Sequence, residues 1–316
     1  MLRMGLMKRP ALKVVSYNVR YFGHGTRGLF STRGAMTRIA KSLAALSPLA
    51  DVVCLQEVEN ASIRSHLFHT EDEQQPSPQA DRFAAKLKEA LDGRAAYACH
   101  YFPAHTYKIT DSTSFYTTGL VILVKNGLTV LTHNADAPAD VTERRKAGAR
   151  LKQTRIVAHV CVRTDEGQTM DIFNTHLSLP RAITTEFWTQ PFRMGYGKNQ
   201  LAEAKRVYEF IQRERRTDAF AVMGDFNSLP GSPTYRYLVN DCGLHDVYSL
   251  YHRLDERALR DHPTAGFLNM RMRIDHMLTG RGLSWLDFDD TRHFDQKGSF
   301  TGLSDHVPLI GRFHIV

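Results

Sequence analysis

The feature that most constrains this chain is a series of short apolar runs, each stopping on a residue able to bind a cation or a phosphate. Val14-Val15-Ser16-Tyr17 ends on Asn18; Val52-Val53-Cys54-Leu55 runs into Gln56 and Glu57; Ile172-Phe173-Asn174-Thr175 meets His176. Ala221-Val222-Met223-Gly224 delivers Asp225 and, two positions on, Asn227; Arg273-Ile274 precedes Asp275; Ser304-Asp305-His306 opens the last run. Runs of this length, rich in β-branched residues, read as strands.

The predicted strands are Leu12 to Tyr17, Asp51 to Leu55, Gly119 to Val124, Arg155 to Val162, Met170 to Asn174, Ala219 to Met223, Arg273 to Leu278 and Val307 to Ile315. Helical spacing lies between them: Met36, Ile39, Leu43 and Leu46; Phe83, Leu87 and Leu91 before Gly93; Leu201, Ala204, Tyr208 and Ile211. Ser232 before Pro233 reads as an N-cap and first helical position of a short helix through Leu238. Helices early, then consecutive strands, then helix and strand again favour an α/β sandwich over a strictly alternating sheet. Residues 1–11 read as an N-terminal extension and 12–316 as a single domain. The polar stretch Glu71 to Gln79 reads as a loop within it.

Strand residues alternate faces, so Asp225 and Asn227 are expected on one side of an extended segment, with Phe226 entering the core. Glu57, Asp225, Asp275 and Asp305 would repel one another in a single cleft unless a cation or protonated histidine balanced them. Oxygen donors without a cysteine pair point to Mg²⁺, or Mn²⁺ in its place, rather than zinc. In isolation Asn18 is a turn residue and Glu57 a solvated acid. It is the ordered set that argues for chemistry.

Composition sets the frame. With 42% hydrophobic and 23% charged residues the chain is globular, which excludes collagen-like, coiled-coil and largely disordered readings. No apolar run approaches the roughly 20 residues that span a bilayer. Met1 to Pro10 is basic without a sustained apolar stretch, so the reading is a cytoplasmic protein without a secretory signal. Cys54, Cys99, Cys161 and Cys242 form no metal-ligand spacing and read as reduced small hydrophobes, with Cys54 and Cys161 in strands. A net charge of +8 favours an anionic partner. Three basic, partly aromatic connections could grip phosphates: Arg20 to Arg33, Thr142 to Arg155, and Arg181 to Lys198 with Phe187, Trp188, Phe192, Arg193 and Tyr196.

The segments VVSYNVR, DVVCLQEVE, TTGLVILVK, DIFNTHLSLP, AVMGDFNSLPGSPTY, RIDHMLTG and GLSDHVPLIGRF, in that order, resemble the endonuclease/exonuclease/phosphatase superfamily, whose fold is that of pancreatic-type deoxyribonuclease. The resemblance implies a four-layer α/β/β/α sandwich with two central mixed sheets and an active site at one edge. It implies Asn18 and Glu57 at the metal end, Glu57 the principal Mg²⁺ ligand, with Asp305 completing the shell directly or through water. His306 matches the catalytic histidine and Asp275 the carboxylate that orients it. Asp225 and Asn227 match the pair that positions the attacking water and holds a phosphate oxygen, and His176 a donor to the scissile phosphate. The base is left open between His306 and Asp225.

Substrate is less constrained. The THL form around His176 resembles the branch of deoxyribonucleases, deadenylases, sphingomyelinases and inositol-phosphate phosphatases, and Tyr17 departs from the tryptophan of abasic-site endonucleases. The favoured reading is a Mg²⁺-dependent nuclease, supported by the charge and the basic aromatic loops. The alternative is a phosphodiesterase or phosphatase acting on a phospholipid head group or inositol phosphate. It rests on the aromatic residues beyond His176 and on Phe267 to Met272. A non-catalytic phosphate-binding module ranks last, because every matched catalytic position carries a usable residue. The protein is expected to act as a monomer.

Overall fold

The computed structural model describes residues 11–23, 33–59, 79–110, 113–143, 154–180, 193–267, 270–289 and 298–316. The N-terminal extension apart from Ala11, the polar loop up to Ser77 and Pro78, Phe187, Trp188, Phe192 and most of the basic connections lie outside the described residues.

The first large sheet is built from β1 (Leu12–Asn18), β2 (Val52–Glu59), β3 (Tyr97–Thr110), β4 (Thr113–Lys125), β14 (Leu283–Asp289) and β15 (Leu309–Ile315), in the order β14-β15-β1-β2-β4-β3. The second contains β5 (Leu128–His133), β6 (Ala139–Asp140), β7 (Ile156–Thr164), β8 (Thr169–His176), β9 (Phe220–Asp225), β10 (His245–Asp246) and β13 (Asp275–Thr279), in the order β10-β13-β9-β8-β7-β5 with β6 on β7. The pairs β1/β2 and β8/β9 are parallel and the others antiparallel, so both sheets are mixed. A ribbon of β11 (Ala265–Phe267) and β12 (Met270–Met272) lies outside both sheets and is bridged from Ala265 to His306.

The apolar runs are continuous because their strands are covered on both faces. Leu12 and Val14 of β1, Val52 and Cys54 of β2, Leu120, Ile122 and Val124 of β4 meet Met170 and Ile172 of β8 and Ala221 and Met223 of β9 between the sheets. The alternate residues Val15, Tyr17, Val53, Leu55, Val121 and Leu123 face α1 (Arg33–Ala44) and α2 (Gln79–Leu91), which contribute Met36, Ile39, Leu43, Phe83, Leu87 and Leu91. On the far side Phe173, Phe220 and Val222 pack on Ala204, Val207, Phe210 and Ile211 of α3 (Lys198–Glu214). Three apolar interfaces therefore make four layers, helix, sheet, sheet, helix. Each fully buried side chain of the size of Phe173 contributes about 1.5–3 kcal/mol.

The differences from the sequence reading fall at edges and ends. β3 and β4 form a long hairpin of which only Gly119 to Val124 carries an apolar run, because β3 is an edge strand that mixes polar and aromatic residues. On α3 the buried stripe is Ala204, Val207, Phe210 and Ile211, while Leu201 and Tyr208 lie half-buried at its margins. Ser232 does cap α4 (Pro233–Arg236), its Oγ accepting from the Tyr235 N–H at 3.3 Å. Beyond Arg236 the turn widens into a π-helical turn over Tyr237–Asp241 that carries Leu238 into the core. Cys54 and Cys161 are buried, Cys99 and Cys242 half-buried, and all four are free thiols. Among the described residues no helix is long and apolar enough to cross a membrane.

Candidate active site

Asn18, Asn174, His176, Asp225 and Asp275 occupy the strand positions that face between the sheets, in step with Val14, Ile172, Met223 and Met277 deeper in the core. At one end of the sandwich these positions change from apolar to polar, and there the inter-sheet core becomes a cleft. β8 and β9 run parallel with His176 opposite Asp225, and β13 returns antiparallel with Asp275 opposite Asp225.

Asp225 is at the centre. Its Oδ2 accepts from Asn18 Nδ2 at 3.1 Å and lies 3.5 Å from His176 Nε2 and 3.9 Å from His306 Nε2. His306 turns Nδ1 to Asp275, 2.9 Å from Oδ2 and 3.1 Å from Oδ1. Glu57 Oε1 accepts from Asn18 Nδ2 at 3.1 Å and is 4.0 Å from His176 Nε2. Ligand atoms of Glu57, His176 and Asp225 lie within 4.8 Å of one another, as do those of Asp225, Asp275 and His306.

Glu57 reaches the cleft through a bulge. The pairing of β2 with β4 shifts between Leu55 and Val58, and Glu57 adopts a left-handed φ of 56°. Bulges re-aim side chains in this way beside functional sites. Asn227 also has a left-handed φ, 48°, because the strand stops at Asp225 and the chain turns. The expected extended Asp225 to Asn227 segment is thus corrected to a turn in which the Asn227 N–H donates to Asp225 Oδ1 at 2.9 Å. Asn227 Nδ2 donates to the Leu177 carbonyl at 2.9 Å, and Phe226 is buried under α3 as expected.

Asn18 and Asp305 stand differently from ligands. The Asn18 oxygen accepts from the Arg20 N–H at 3.0 Å, so its amide N–H₂ group faces the acids and bridges Glu57 and Asp225. Asp305 is ion-paired with Arg20, which leads a left-handed turn, Arg20–Phe22, with three successive positive φ values.

Burial and crowding set the charges. Desolvation, then Asp275, raises the Asp225 carboxyl to about 7, and desolvation also raises Glu57 against the Asn18 hydrogen bond. Burial disfavours charge on His306, but Asp275, Asp225 and Asp305 outweigh it and push its pKa up to about 10. His176 is held well below its ordinary value by burial, Arg155 and His306, and is therefore neutral at pH 7. Four crowded carboxylates, two with raised affinity for protons, suit a hard divalent cation.

Several contributors were given no individual role by the sequence reading. Gln56 Nε2 donates to Asn174 Oδ1 at 2.8 Å, and Asn174 Nδ2 donates to the Leu55 and Val121 carbonyls, tying the sheets together beneath Glu57. Polar residues inside otherwise apolar runs were the signal for this pair. Thr264 Oγ1 donates to Asp275 Oδ2 at 2.7 Å and accepts from the Ile274 and Asp275 N–H groups, with no local signal in the sequence. Arg155 is buried, lines a small recess with Thr118, Gly119 and His176, and its Nε lacks a hydrogen-bond partner. Leu179 and Tyr196 are exposed beyond His176, whereas Met272 packs on Met194, Leu229 and Ile274.

A two-sheet sandwich with carboxylates, two histidines and an amide gathered at one edge defines a metal-dependent phosphohydrolase. The chain belongs to the Endonuclease/Exonuclease/phosphatase family, whose profile matches residues 15–306, and it is a phosphoester hydrolase. No curated protein matches it by sequence. Among solved structures it is similar to the human Nocturnin catalytic domain with bound sulfate, at 18% identity over 97% of this chain and 94% of that one, TM-score 0.63. It is also similar to ANGEL2, a 2',3'-cyclic phosphatase in complex with adenosine-2',3'-vanadate, at 17% identity over 98% and 97%, TM-score 0.63. A Bacteroides thetaiotaomicron mannosyl-6-phosphatase aligns at 17% identity over 96% and 99%, TM-score 0.57.

Proposed function

We propose that this protein is a Mg²⁺-dependent nuclease that cleaves nucleic-acid phosphodiesters by water attack. The observation that carries the hydrolytic reading is the convergence of Glu57, His176, Asp225 and the Asp275–His306 pair on one cleft. Glu57 would be the principal residue holding the metal, with Asp305, here ion-paired with Arg20, beside it. Asn18 spaces Glu57 from Asp225. The metal, when bound, neutralises charge that develops on the phosphate and leaving oxygen.

The chain's own groups supply the rest. Asp225, with a proton affinity near neutrality and held by the Asn227 N–H, takes the proton from the attacking water. His306, kept cationic by Asp275, and neutral His176 donate hydrogen bonds to the phosphate oxygens. Arg155, in the recess beside His176, holds a further oxygen, and Asn227 is assigned to position the water through Asp225.

The net charge of +8, Arg20 and Arg155 at the cleft, and the adenosine ligand of ANGEL2 favour nucleic acid. A phospholipid head group or small phosphate ester is the second reading, supported by exposed Leu179 and Tyr196 and by the mannosyl-6-phosphatase relative. One chain supplies every named residue, so a monomer suffices, and four free thiols accord with a cytoplasmic setting.

The test is hydrolysis of DNA, RNA, sphingomyelin and inositol phosphates by purified protein, with Mg²⁺ or excess chelator, each repeated with His306→Ala. Cleavage of a nucleic acid that needs Mg²⁺ and His306 and weakens with salt is expected. Turnover confined to a lipid or small phosphate would replace the nuclease reading.

A further inference from the structure

Directly behind the Asp225 to Asn227 turn lies a second histidine–aspartate pair that the hydrolytic reading does not use. His276, the residue after Asp275, is 1% exposed, and its Nε2 is 2.8 Å from the Ser228 carbonyl oxygen. Its Nδ1 is 3.2 Å from Asp246 Oδ2. Asp246 is 2% exposed and caps α5 (Val247–His252), its Oδ1 accepting from the Ser249 N–H at 3.1 Å, while its Oδ2 also accepts from Tyr235 OH at 3.1 Å. Burial works against charge on Asp246, but the His276 hydrogen bond, the His276 charge and nearby Arg273 outweigh it and hold its pKa low. The ring of His276 is wedged between Phe226, 5.9 Å away edge-on, and Tyr235 at 5.1 Å.

A carbonyl can only accept a hydrogen bond, and an ionised carboxylate likewise. The Nε2 nitrogen of His276, which faces the Ser228 carbonyl, therefore acts as a donor. We propose that His276 is a positioning residue for hydrolysis: clamped by Asp246, it donates from Nε2 to the Ser228 carbonyl and so fixes the left-handed turn that aims Asp225 and Asn227. Around the turn the Phe226 N–H donates to the Ile274 carbonyl at 3.0 Å and Asn227 Nδ2 to the Leu177 carbonyl at 2.9 Å. Gln200 Nε2 holds the Asn227 carbonyl at 2.6 Å from the α3 side, and His276 holds the next carbonyl from β13. A left-handed Asn is a strained conformation that persists only where its surroundings over-determine it. Through β13 the clamp links the turn after β9 to β10 and the start of α5.

This proposal rests on the reading of Asp225 and Asn227 as hydrolytic residues, and its test separates the two. Turnover of bis(p-nitrophenyl) phosphate with Mg²⁺ is measured for wild type, His276→Phe, His276→Gln and Asp246→Asn, well below each Tm. His276→Phe is expected to lower kcat by about 10–100-fold with KM within about twofold, since a small misplacement of a reacting group costs that much. His276→Gln should recover part of the loss because its amide can still donate to Ser228, whereas a role in packing alone would make Phe the better replacement. Asp246→Asn keeps the shape and the cap and should fall between. Independently, ¹⁵N NMR of the wild-type His276 ring should find a proton on Nε2. An Nε2 without a proton overturns the proposal even if no phosphoester is cleaved, and so does a folded His276→Phe with kcat within twofold of wild type. A wild type inactive on every substrate but with Nε2 protonated leaves the clamp standing and defeats only the hydrolytic reading.

Discussion

Asp225 faces Asn18, His176 and His306 at once, and its carboxyl is raised to about 7 because burial and Asp275 both oppose its charge. A base with that affinity is matched to neutral solution, while His306, pushed up to about 10, stays a donor through the same range. Asp225→Asn should therefore lower kcat by about 10²–10⁴-fold and remove the acidic limb of the rate profile. His306→Ala should lower kcat by several powers of ten while the ordinary far-ultraviolet circular dichroism is retained. Stopped or continuous phosphate-ester assays across pH check both, and full activity in either variant would strip that residue of its role.

The decisive local device is the bulge in β2. Regular alternation would leave residue 57 on the helix-facing side with Val53 and Leu55, and the extra residue turns Glu57 into the cleft instead. Glu57→Gln keeps the shape and the Asn18 contact but removes the charge, so half-saturation by Mg²⁺ should move to higher concentration. An unchanged metal titration would remove Glu57 from the metal. The bulge is held from below by Gln56 and Asn174, both fully buried. Asn174→Ala leaves the Gln56 donor and the Leu55 and Val121 carbonyls short of partners, and should cost about 1–3 kcal/mol in a denaturant titration. On β13, Thr264→Val should act similarly on Asp275, whose carboxylate and N–H both use that hydroxyl.

For the whole molecule, the site is a place where folding concentrates charge, which makes stability depend on pH and on the cation. Asp225 binds its proton more tightly folded than unfolded, so its contribution is full below the ordinary carboxylate range and is lost as pH rises through about 7. His306, raised from 6.5 to about 10, contributes fully below 6.5 and loses that contribution on approaching 10. His176, held neutral, opposes this only below 6.5, so chelated protein should lose Tm from about pH 7 toward pH 10. Added Mg²⁺ should restore it by an amount that grows with pH, since metal and protons compete for the same groups. A Tm that rises over that range in chelator would contradict the charge assignment.

The covered strands were legible as unbroken apolar runs, and the polar residues that end them named most of the cleft, because a strand buried on both faces has no other place to change from apolar to polar. Edge strands such as β3 and the half-buried margins of α3 were not, since one solvated side erases the pattern. The sequence by itself determined the two-sheet class and most of the polar side chains that gather at its edge. Only tertiary structure decided that Asn18 turns its amide hydrogens rather than its oxygen to the acids, that Asp305 pairs with Arg20, that a bulge aims Glu57, and that Thr264 and His276 brace Asp275 and the Asn227 turn. Those are matters of hydrogen-bond partners brought together from distant strands, and no local pattern along the chain records them.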